Sequence, residues 1–168
     1  MERTGRCQCW ETDDPLFIVC RDEWGVPVRD DRLLFEQLVL SGFQAGLSWR
    51  TILYKRENFR RAFHNFQADQ VARYGARERH RLLADAGIIR NRQKIDAAIN
   101  NAKAVLTVRG EFETFSNYLW DFVGGRPIRR RHPGGRSPDR SPESDALSKD
   151  LQTRGFSFVG STIVYAFM

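Results

Sequence analysis

The feature that most constrains the fold of this chain is a glycine turn at residues 85–95, between two stretches of helical periodicity. Before the turn, Leu82, Leu83 and Ala86 form an apolar stripe. After it, apolar residues recur at helical spacing, namely Ile95, Ala98, Ile99, Ala102, Val105 and Leu106. Gly87 lies where the first helix must end, a position that favours a positive φ. The segment therefore predicts a helix–hairpin–helix unit.

Positive charge is concentrated at the same turn. Arg90, Arg92 and Lys94 surround the start of the second helix, close to Ile89. Free backbone N–H groups and the helix dipole make such a start attractive to anions. A hairpin of this kind binds a phosphate without reading a base. The alternative is an ordinary helical corner whose arginines are solvated.

The composition favours one domain with a polyanionic partner. The 168 residues, 41% of them hydrophobic, suffice for one core, so we expect a single domain over residues 1–168. The formal net charge of +6 and the isoelectric point of about 9.6 favour a polyanion, although arginine-rich coding has the same effect. The sequence has no apolar run of membrane-spanning length and no signal peptide, and three cysteines argue against a disulfide framework. We therefore expect a cytoplasmic, nucleoid-associated protein without membrane contact.

Strand patterns are sparse, and helical periodicity predicts an all-α fold. Asp30 or Asp31 can cap a helix with its interior at residues 33–40, and a second helix begins near Gln44. The two hairpin helices come next, followed by a helix that starts near Phe115. The last helix begins at the cap Ser141, which is followed by proline, and ends at residues 154–155.

A basic segment at residues 124–140 lies before the last predicted helix and is rich in Gly, Pro and Arg. Five of its arginines are Arg129, Arg130, Arg131, Arg136 and Arg140. Because the segment has almost no apolar side chain to anchor it, we expect a flexible loop. Such a loop is either simply solvated or strengthens non-specific DNA binding by counterion release.

Residues 41–49 join two predicted helices and place an apolar side chain where a turn is usually polar. Leu47 follows Gly46 and is itself followed closely by Trp49. Beside a hairpin that holds DNA, this turn would insert Leu47 into the base stack while Trp49 offers its ring to an extruded base. The alternative is that both side chains belong to the core.

The N-terminal part of the chain is dense in aromatic residues. Trp10, Phe17 and Trp24 lie within fifteen residues, beside the acidic pair Asp22 and Glu23. They are suited to line a slot for a flat cationic ligand, where cation–π attraction reaches about 2 kcal/mol once the ligand is desolvated. A packed aromatic core is the alternative.

Taken together, these segments resemble the DNA-3-methyladenine glycosylase I family, a branch of the helix–hairpin–helix glycosylases. The motifs that carry the resemblance run in order over nearly the whole chain. They are Asp14-Pro15-Leu16, Glu23-Trp24-Gly25-Val26-Pro27, Gln44-Ala45-Gly46-Leu47-Ser48-Trp49, Lys55-Arg56-Glu57-Asn58-Phe59, Ala86-Gly87-Ile88-Ile89-Arg90-Asn91-Arg92, Ser144-Asp145-Ala146-Leu147-Ser148-Lys149, Arg154-Gly155-Phe156, Phe158-Val159-Gly160 and Tyr165-Ala166-Phe167-Met168.

The resemblance implies an all-helical, monofunctional enzyme that flips an alkylated adenine out of double-stranded DNA and hydrolyses its N-glycosidic bond. No carboxylate nucleophile is expected, and a monomer is implied. The positions that match the base pocket are Trp49, Trp10, Phe17, Cys20 and Trp24. The positions that match DNA contacts are Gly46 and Leu47 in the gap-filling element and Gly87, Ile89 and Lys94 in the hairpin, to which Arg90 and Arg92 add charge.

The chain departs from the family pattern in the pocket. The family has a glutamate that bonds the methylated base at the position of Ser41, and a pocket tyrosine at the position of Cys20. A serine brings no charge to a cationic base, and losing a charge-assisted hydrogen bond costs about 1.5–3 kcal/mol. If the protein is an active glycosylase, Ser41 occupies the catalytic position. The alternative is a relative that binds DNA lesions without cutting the glycosidic bond. Asp121 and Glu36 are two other acids that could replace the missing pocket glutamate. For Asp121, a solvated acid on a helix surface is the preferred interpretation.

The family's structural zinc is expected to be lost, and no cofactor is expected. Arg21 occupies the position of one ligand histidine, and the chain stops at Met168, before the family's C-terminal His and Cys. Cys7, Cys9 and Cys20 remain as a three-thiolate alternative, but a closed structural zinc site needs four ligands.

Overall fold

The computed structural model describes Asp14, residues 23–129 and residues 138–168. These residues form eight α-helices and no β-strand, which confirms the all-α prediction for the part of the chain described. The helices are α1 Asp31–Gln44, α2 Trp49–Ala62, α3 Ala68–Val71, α4 Ala76–Ala84, α5 Arg92–Phe112, α6 Phe115–Asp121, α7 Pro142–Thr153 and α8 Ser161–Phe167. A 3₁₀ turn, His64–Phe66, separates α2 from α3. None of these helices is both long and apolar enough to cross a membrane.

The core is built around α1 and α5. Helix α1 packs against α2, α5, α6 and α8, while α5 packs against α3, α4 and α6 as well. Phenylalanines fill the space between α1 and α2, with the rings of Phe43 and Phe59 edge to face at 4.7 Å between centroids. Phe63 stacks on Phe66 at 5.7 Å. Because α1 is buried on most sides, the position of its C-terminal end is set by several neighbours at once.

Two predicted helix caps are confirmed. The Asp30 carboxylate accepts a hydrogen bond from the Leu33 N–H at 2.8 Å, and the Ser141 hydroxyl accepts one from the Ser144 N–H at 3.2 Å. Asp31 has a different role, because its carboxylate accepts hydrogen bonds from the first N–H groups of α6. It thereby joins the start of α1 to a distant helix.

Helix boundaries near the predicted site differ from the sequence prediction. Residues 41–44 belong to α1 rather than to the connecting turn, and α2 begins at Trp49 rather than near Gln44. Ser48 is the cap of α2, since its hydroxyl accepts a hydrogen bond from the Thr51 N–H at 3.2 Å. Helix α8 is not predicted by the sequence pattern, because seven residues with one buried side chain, Val164, give little periodic signal.

Candidate functional site

The turn between α1 and α2, residues 45–48, holds Leu47 away from the core. Gly46 adopts φ +75°, a left-handed conformation that favours glycine. The Leu47 N–H donates to the Gln44 carbonyl at 2.7 Å, which closes the turn. The Leu47 side chain is 41% exposed, although it is large and apolar. The turn therefore presents an apolar wedge, Leu47, to solvent, and the insertion of this side chain into a base stack stays a prediction.

Trp49 is the first residue of α2, immediately after the cap. Its indole is half-buried and packs against the core, so the ring is held in place without being sealed in the interior. Ser41 lies in the last turn of α1 and is 7% exposed. Its hydroxyl makes no hydrogen bond to another residue in the described part of the chain.

The N-terminal aromatic residues are only partly within the described structure. Trp24 is described and is 56% exposed. Trp10, Phe17 and Cys20 lie outside the described residues, as do Cys7 and Cys9, so their predicted roles stay predictions. Within the described ranges, no three His, Cys, Asp or Glu side chains are grouped as metal ligands would be.

Helix α2 holds two acidic residues of the N-terminal part of the chain. Asp14 accepts hydrogen bonds from the Tyr54 hydroxyl and, at 3.4 Å, from the Arg50 guanidinium. Glu23 pairs with Arg56 at 2.6 Å. The residue before the Pro-Leu motif and the residue before Trp24 are therefore both attached to the helix that begins with Trp49.

Glu36 is a fully buried carboxylate inside α1, and three arginines neutralise it. Its oxygens lie 2.7 Å from Arg56, 2.8 Å from Arg60 and 3.3 Å from Arg32. Burial alone lowers the pKa of the Arg56 guanidinium, but the hydrogen bonds that it donates to Glu23 and Glu36 raise this pKa above its ordinary value. Glu36 therefore has a structural role and is not a free acid for chemistry.

The hairpin turn, residues 85–91, corrects the prediction made for Gly87. Gly87 does not have a positive φ. Glycine is needed because a Cβ there would lie 2.9 Å from Asp85 Oδ1 and 3.2 Å from the Asn58 side chain. This close approach lets Asn58 Nδ2 donate to the Gly87 carbonyl at 3.1 Å, while Lys55 Nζ donates to the carbonyls of Ala86 and Gly87 at 3.1 and 3.3 Å.

Side chains of α2 bind the Ala86 and Gly87 carbonyls of the hairpin turn, and several backbone N–H groups that follow these carbonyls have no acceptor in the described part of the chain. The N–H groups of Ile89, Arg90, Arg92 and Gln93 make no hydrogen bond within the described residues. Ile89 is half-buried and Arg90 is exposed, while the Arg92 side chain is 81% exposed and lies 3.8 Å from Asp96. Four free donors and two arginines near the start of α5 are groups that bind anions such as phosphate.

The prediction that Lys94 would hold a phosphate at this surface is wrong in this structure. Lys94 is only 9% exposed, and its Nζ donates to the carbonyls of Phe43 at 2.8 Å and Ala45 at 2.5 Å. Burial lowers the pKa of this ammonium group. The third residue of α5 points inward, toward the end of α1, because the Asn91 cap starts the helix in that orientation.

The predicted basic loop is described at its two ends only. Arg129 and Arg140 are exposed there. Arg130, Arg131 and Arg136 lie outside the described residues, so their contribution to DNA binding stays a prediction.

An all-helical fold with a hairpin turn that exposes free N–H donors, an apolar turn and a half-buried indole is typical of the helix–hairpin–helix class of DNA-repair glycosylases. The chain belongs to the methyladenine glycosylase family, whose model matches residues 10–168. It is 48% identical to the DNA-3-methyladenine glycosylase 1 of Escherichia coli over 170 residues, which cover all of this chain and 89% of that protein. The predicted family and the helix–hairpin–helix glycosylase fold are thereby confirmed.

Solved structures agree with this assignment. A crystal structure of 3-methyladenine DNA glycosylase I matches with a TM-score of 0.91 at 47% identity, covering 98% of this chain and 91% of that one. A structure described as the basis of 3-methyladenine recognition by the Staphylococcus aureus enzyme matches with a TM-score of 0.87 at 36% identity. It covers 93% of this chain and 84% of the matched chain.

Proposed function

We propose that this protein is a monofunctional DNA glycosylase that releases 3-methyladenine and related alkylated purines, the first step of base excision repair. The observation that carries the proposal is the 48% identity with a DNA-3-methyladenine glycosylase along the whole chain. The exposed Leu47, the half-buried Trp49 and the free donors of the hairpin turn support it. Since a wedge needs a base stack to enter, double-stranded DNA is the substrate. One copy of the chain carries all three elements, so we propose a monomer that works at the nucleoid.

The hairpin turn, Leu47 and Trp49 each perform one part of DNA binding and base flipping. The hairpin turn holds a backbone phosphate on free N–H groups, without regard to base sequence. Leu47 enters the stack and fills the gap left by the extruded nucleotide. The indole of Trp49 stacks on the extruded base, and base–aromatic stacking is worth about 1–3 kcal/mol.

The chemistry asks little of an acid or a base. Alkylation at N3 makes the purine cationic, so the C1′–N9 bond breaks with its electron pair on the departing base. Water adds to C1′ and loses its proton to solvent. Of the two acids considered for the pocket, Glu36 is neutralised by arginines and Asp121 is exposed at the end of α6. The enzyme therefore acts mainly by selecting and orienting the base.

We further propose that this chain works without a structural zinc ion. The support for this proposal is Arg21, which stands where the resemblance places a ligand histidine, because a guanidinium does not bind zinc. Zinc analysis of the purified protein by atomic emission tests this. One equivalent of tightly held zinc would contradict the proposal.

Ser41 is the residue most relevant to the rate, because it leaves the pocket without the carboxylate expected to bond a cationic base. We expect Ser41→Glu to speed single-turnover release of 3-methyladenine by about tenfold or more, the value of one charge-assisted hydrogen bond. Ser41→Gln, of the same size but uncharged, is the control and should gain much less. A folded Ser41→Glu protein with no gain would mean that the pocket selects another base or none.

A lesion-binding relative without catalysis is the second candidate, and the serine at position 41 favours it. Incubating the purified protein with methylated duplex DNA, and identifying free bases by chromatography, decides between the two. Release of 3-methyladenine supports the glycosylase. Binding to the same DNA with no base released supports the second candidate.

Arg92 is expected to contribute general DNA affinity rather than specificity. Because its exposed guanidinium lies at the hairpin turn, Arg92→Ala should weaken all duplexes alike and flatten the slope of log affinity against log salt by about 0.9. Fluorescence anisotropy over a series of NaCl concentrations measures both effects. Lys103→Ala, an exposed change later in α5, should leave the slope unchanged. A loss restricted to one DNA sequence would contradict the assignment.

A further inference from the structure

Lys94 is a buried lysine for which the proposed reaction has no direct use. Its ammonium group donates to the carbonyls of Phe43 and Ala45, at 2.8 and 2.5 Å. Phe43 lies in the last turn of α1, and Ala45 is the first residue of the α1–α2 turn. Lys94 itself follows the hairpin turn by three residues and is tied to it, since its N–H donates to Asn91 Oδ1 at 3.1 Å. One side chain therefore joins the hairpin turn to the turn that carries Leu47.

A second contact from α5 reaches the same end of α1. The Asn101 side chain accepts from the Ser157 N–H at 2.8 Å and donates to the Ser157 carbonyl at 2.9 Å. The next residue, Phe158, is held at φ +57°. Its Cβ approaches Gly42 so closely that a Cβ added to Gly42 would lie 3.3 Å away. The end of α1 is thus confined between Lys94 and Phe158.

Little free space remains where these groups meet. The cavity lined by Gly42, Lys94, Asn101 and Phe158 measures about 10 Å³, roughly the room that one water molecule occupies. The end of α1 cannot shift toward α5 without displacing packed atoms. A displacement of the hairpin turn that moved Lys94 would therefore press on the packed end of α1.

Fold stability alone does not call for a lysine at this position. A cation favours the carbonyl end of a helix, but burying an ammonium group removes it from water at a cost, and an apolar side chain of similar volume is often as stable. The lysine instead fixes the orientation of the backbone, because its two hydrogen bonds hold the carbonyls of residues 43 and 45 immediately before Gly46 and Leu47.

We propose that Lys94 is a positioning residue that couples the hairpin's hold on the DNA backbone to the insertion of Leu47 into the base stack. The inference rests on the proposed function, in which the hairpin turn binds phosphate and Leu47 is the wedge. Lys94 acts through the α1–α2 turn and touches neither base nor phosphate.

Four measurements on the full chain test this coupling. Tryptophan fluorescence with free 3-methyladenine reports the base pocket, and anisotropy with undamaged duplex reports the hairpin. A 2-aminopurine placed opposite the lesion reports unstacking by Leu47, and single-turnover release reports catalysis. For Lys94→Met we expect the first two to stay within about threefold of wild type, while unstacking and release fall at least about tenfold.

Two lysines provide matched comparisons. Lys103→Met removes an exposed ammonium group from the same helix and should equal wild type in all four measurements. Lys55→Met also removes a lysine from backbone carbonyls, but these belong to the hairpin turn. It should instead weaken affinity for undamaged duplex.

The inference is overturned if folded Lys94→Met unstacks and releases bases at the wild-type rate. It is equally overturned if all four measurements fall together, in step with thermal stability. If Lys94→Met does not fold, Lys94→Gln is judged by the same criteria. If the wild-type protein unstacks the duplex but frees no base, the proposed catalysis is refuted and the role of Lys94 is judged by unstacking. If the wild-type protein neither unstacks the duplex nor frees a base, the proposed function and the role of Lys94 are both refuted.

Discussion

Replacing Trp49 with alanine is expected to reduce excision of 3-methyladenine by about 10²-fold, while ordinary duplex binding stays within about twofold. The indole lies at the first position of α2, half-buried and supported by the core, so it is held ready for an extruded base. Its removal takes away the stacking surface but none of the donors of the hairpin turn. Single-turnover base release and anisotropy with undamaged duplex measure the two effects separately.

Trp49→Phe is the matched control for this prediction. It keeps an aromatic face at the same position, so excision should recover to within about tenfold of wild type. If Trp49→Ala releases the base as fast as wild type does, the indole is only a core residue. Loss of duplex binding in parallel with excision would instead indicate damage to the turn between α1 and α2.

Replacing Glu36 with glutamine is expected to lower the free energy of unfolding by about 3 kcal/mol, because a charge is removed from a buried cluster of arginines. Glu36 is 0% exposed and lies within 3.3 Å of Arg32, Arg56 and Arg60. Without the carboxylate, the three positively charged guanidinium groups repel one another at short distance. Arg56 then keeps Glu23 as its acidic partner. Urea unfolding at neutral pH measures the loss.

Glu57→Gln is the appropriate comparison for Glu36. Glu57 also pairs with Arg60, at 2.5 Å, but its side chain is 71% exposed and water screens the pair. The expected loss is below about 1 kcal/mol. Equal losses for the two variants would mean that burial of the Glu36 cluster contributes nothing beyond an exposed ion pair.

The caps and the exposed wedge could be predicted because their causes are local. Asp30 bonds an N–H three residues later, and Ser141 does the same. Leu47 is pushed outward by a turn that its own neighbours form, with Gly46 supplying the positive φ. Such features depend on a few consecutive residues, and the residues that carry them can be read directly from the sequence.

The roles of α2 in the site could not be predicted, although its motif was recognised. Lys55 and Asn58 reach the hairpin turn across about thirty residues of sequence. Arg56 joins Glu23 to Glu36, and helical spacing alone does not reveal which partners a charged side chain meets. Their only sequence signal is charged residues placed among buried positions of an amphipathic helix.

The amino-acid sequence by itself determined the all-helical fold, two helix caps and the places of the two glycine-containing turns, because periodicity and turn chemistry act over short distances. The family followed from motifs that run in order along the chain. Only the tertiary structure decided that glycine is required at position 87, because the Asn58 side chain approaches it closely. The tertiary structure also decided that Lys94 faces the carbonyls of Phe43 and Ala45 rather than DNA. Those contacts join residues 29 to 51 positions apart. The direction of a long charged side chain depends on which helices pack beside it, and that is a property of the folded chain.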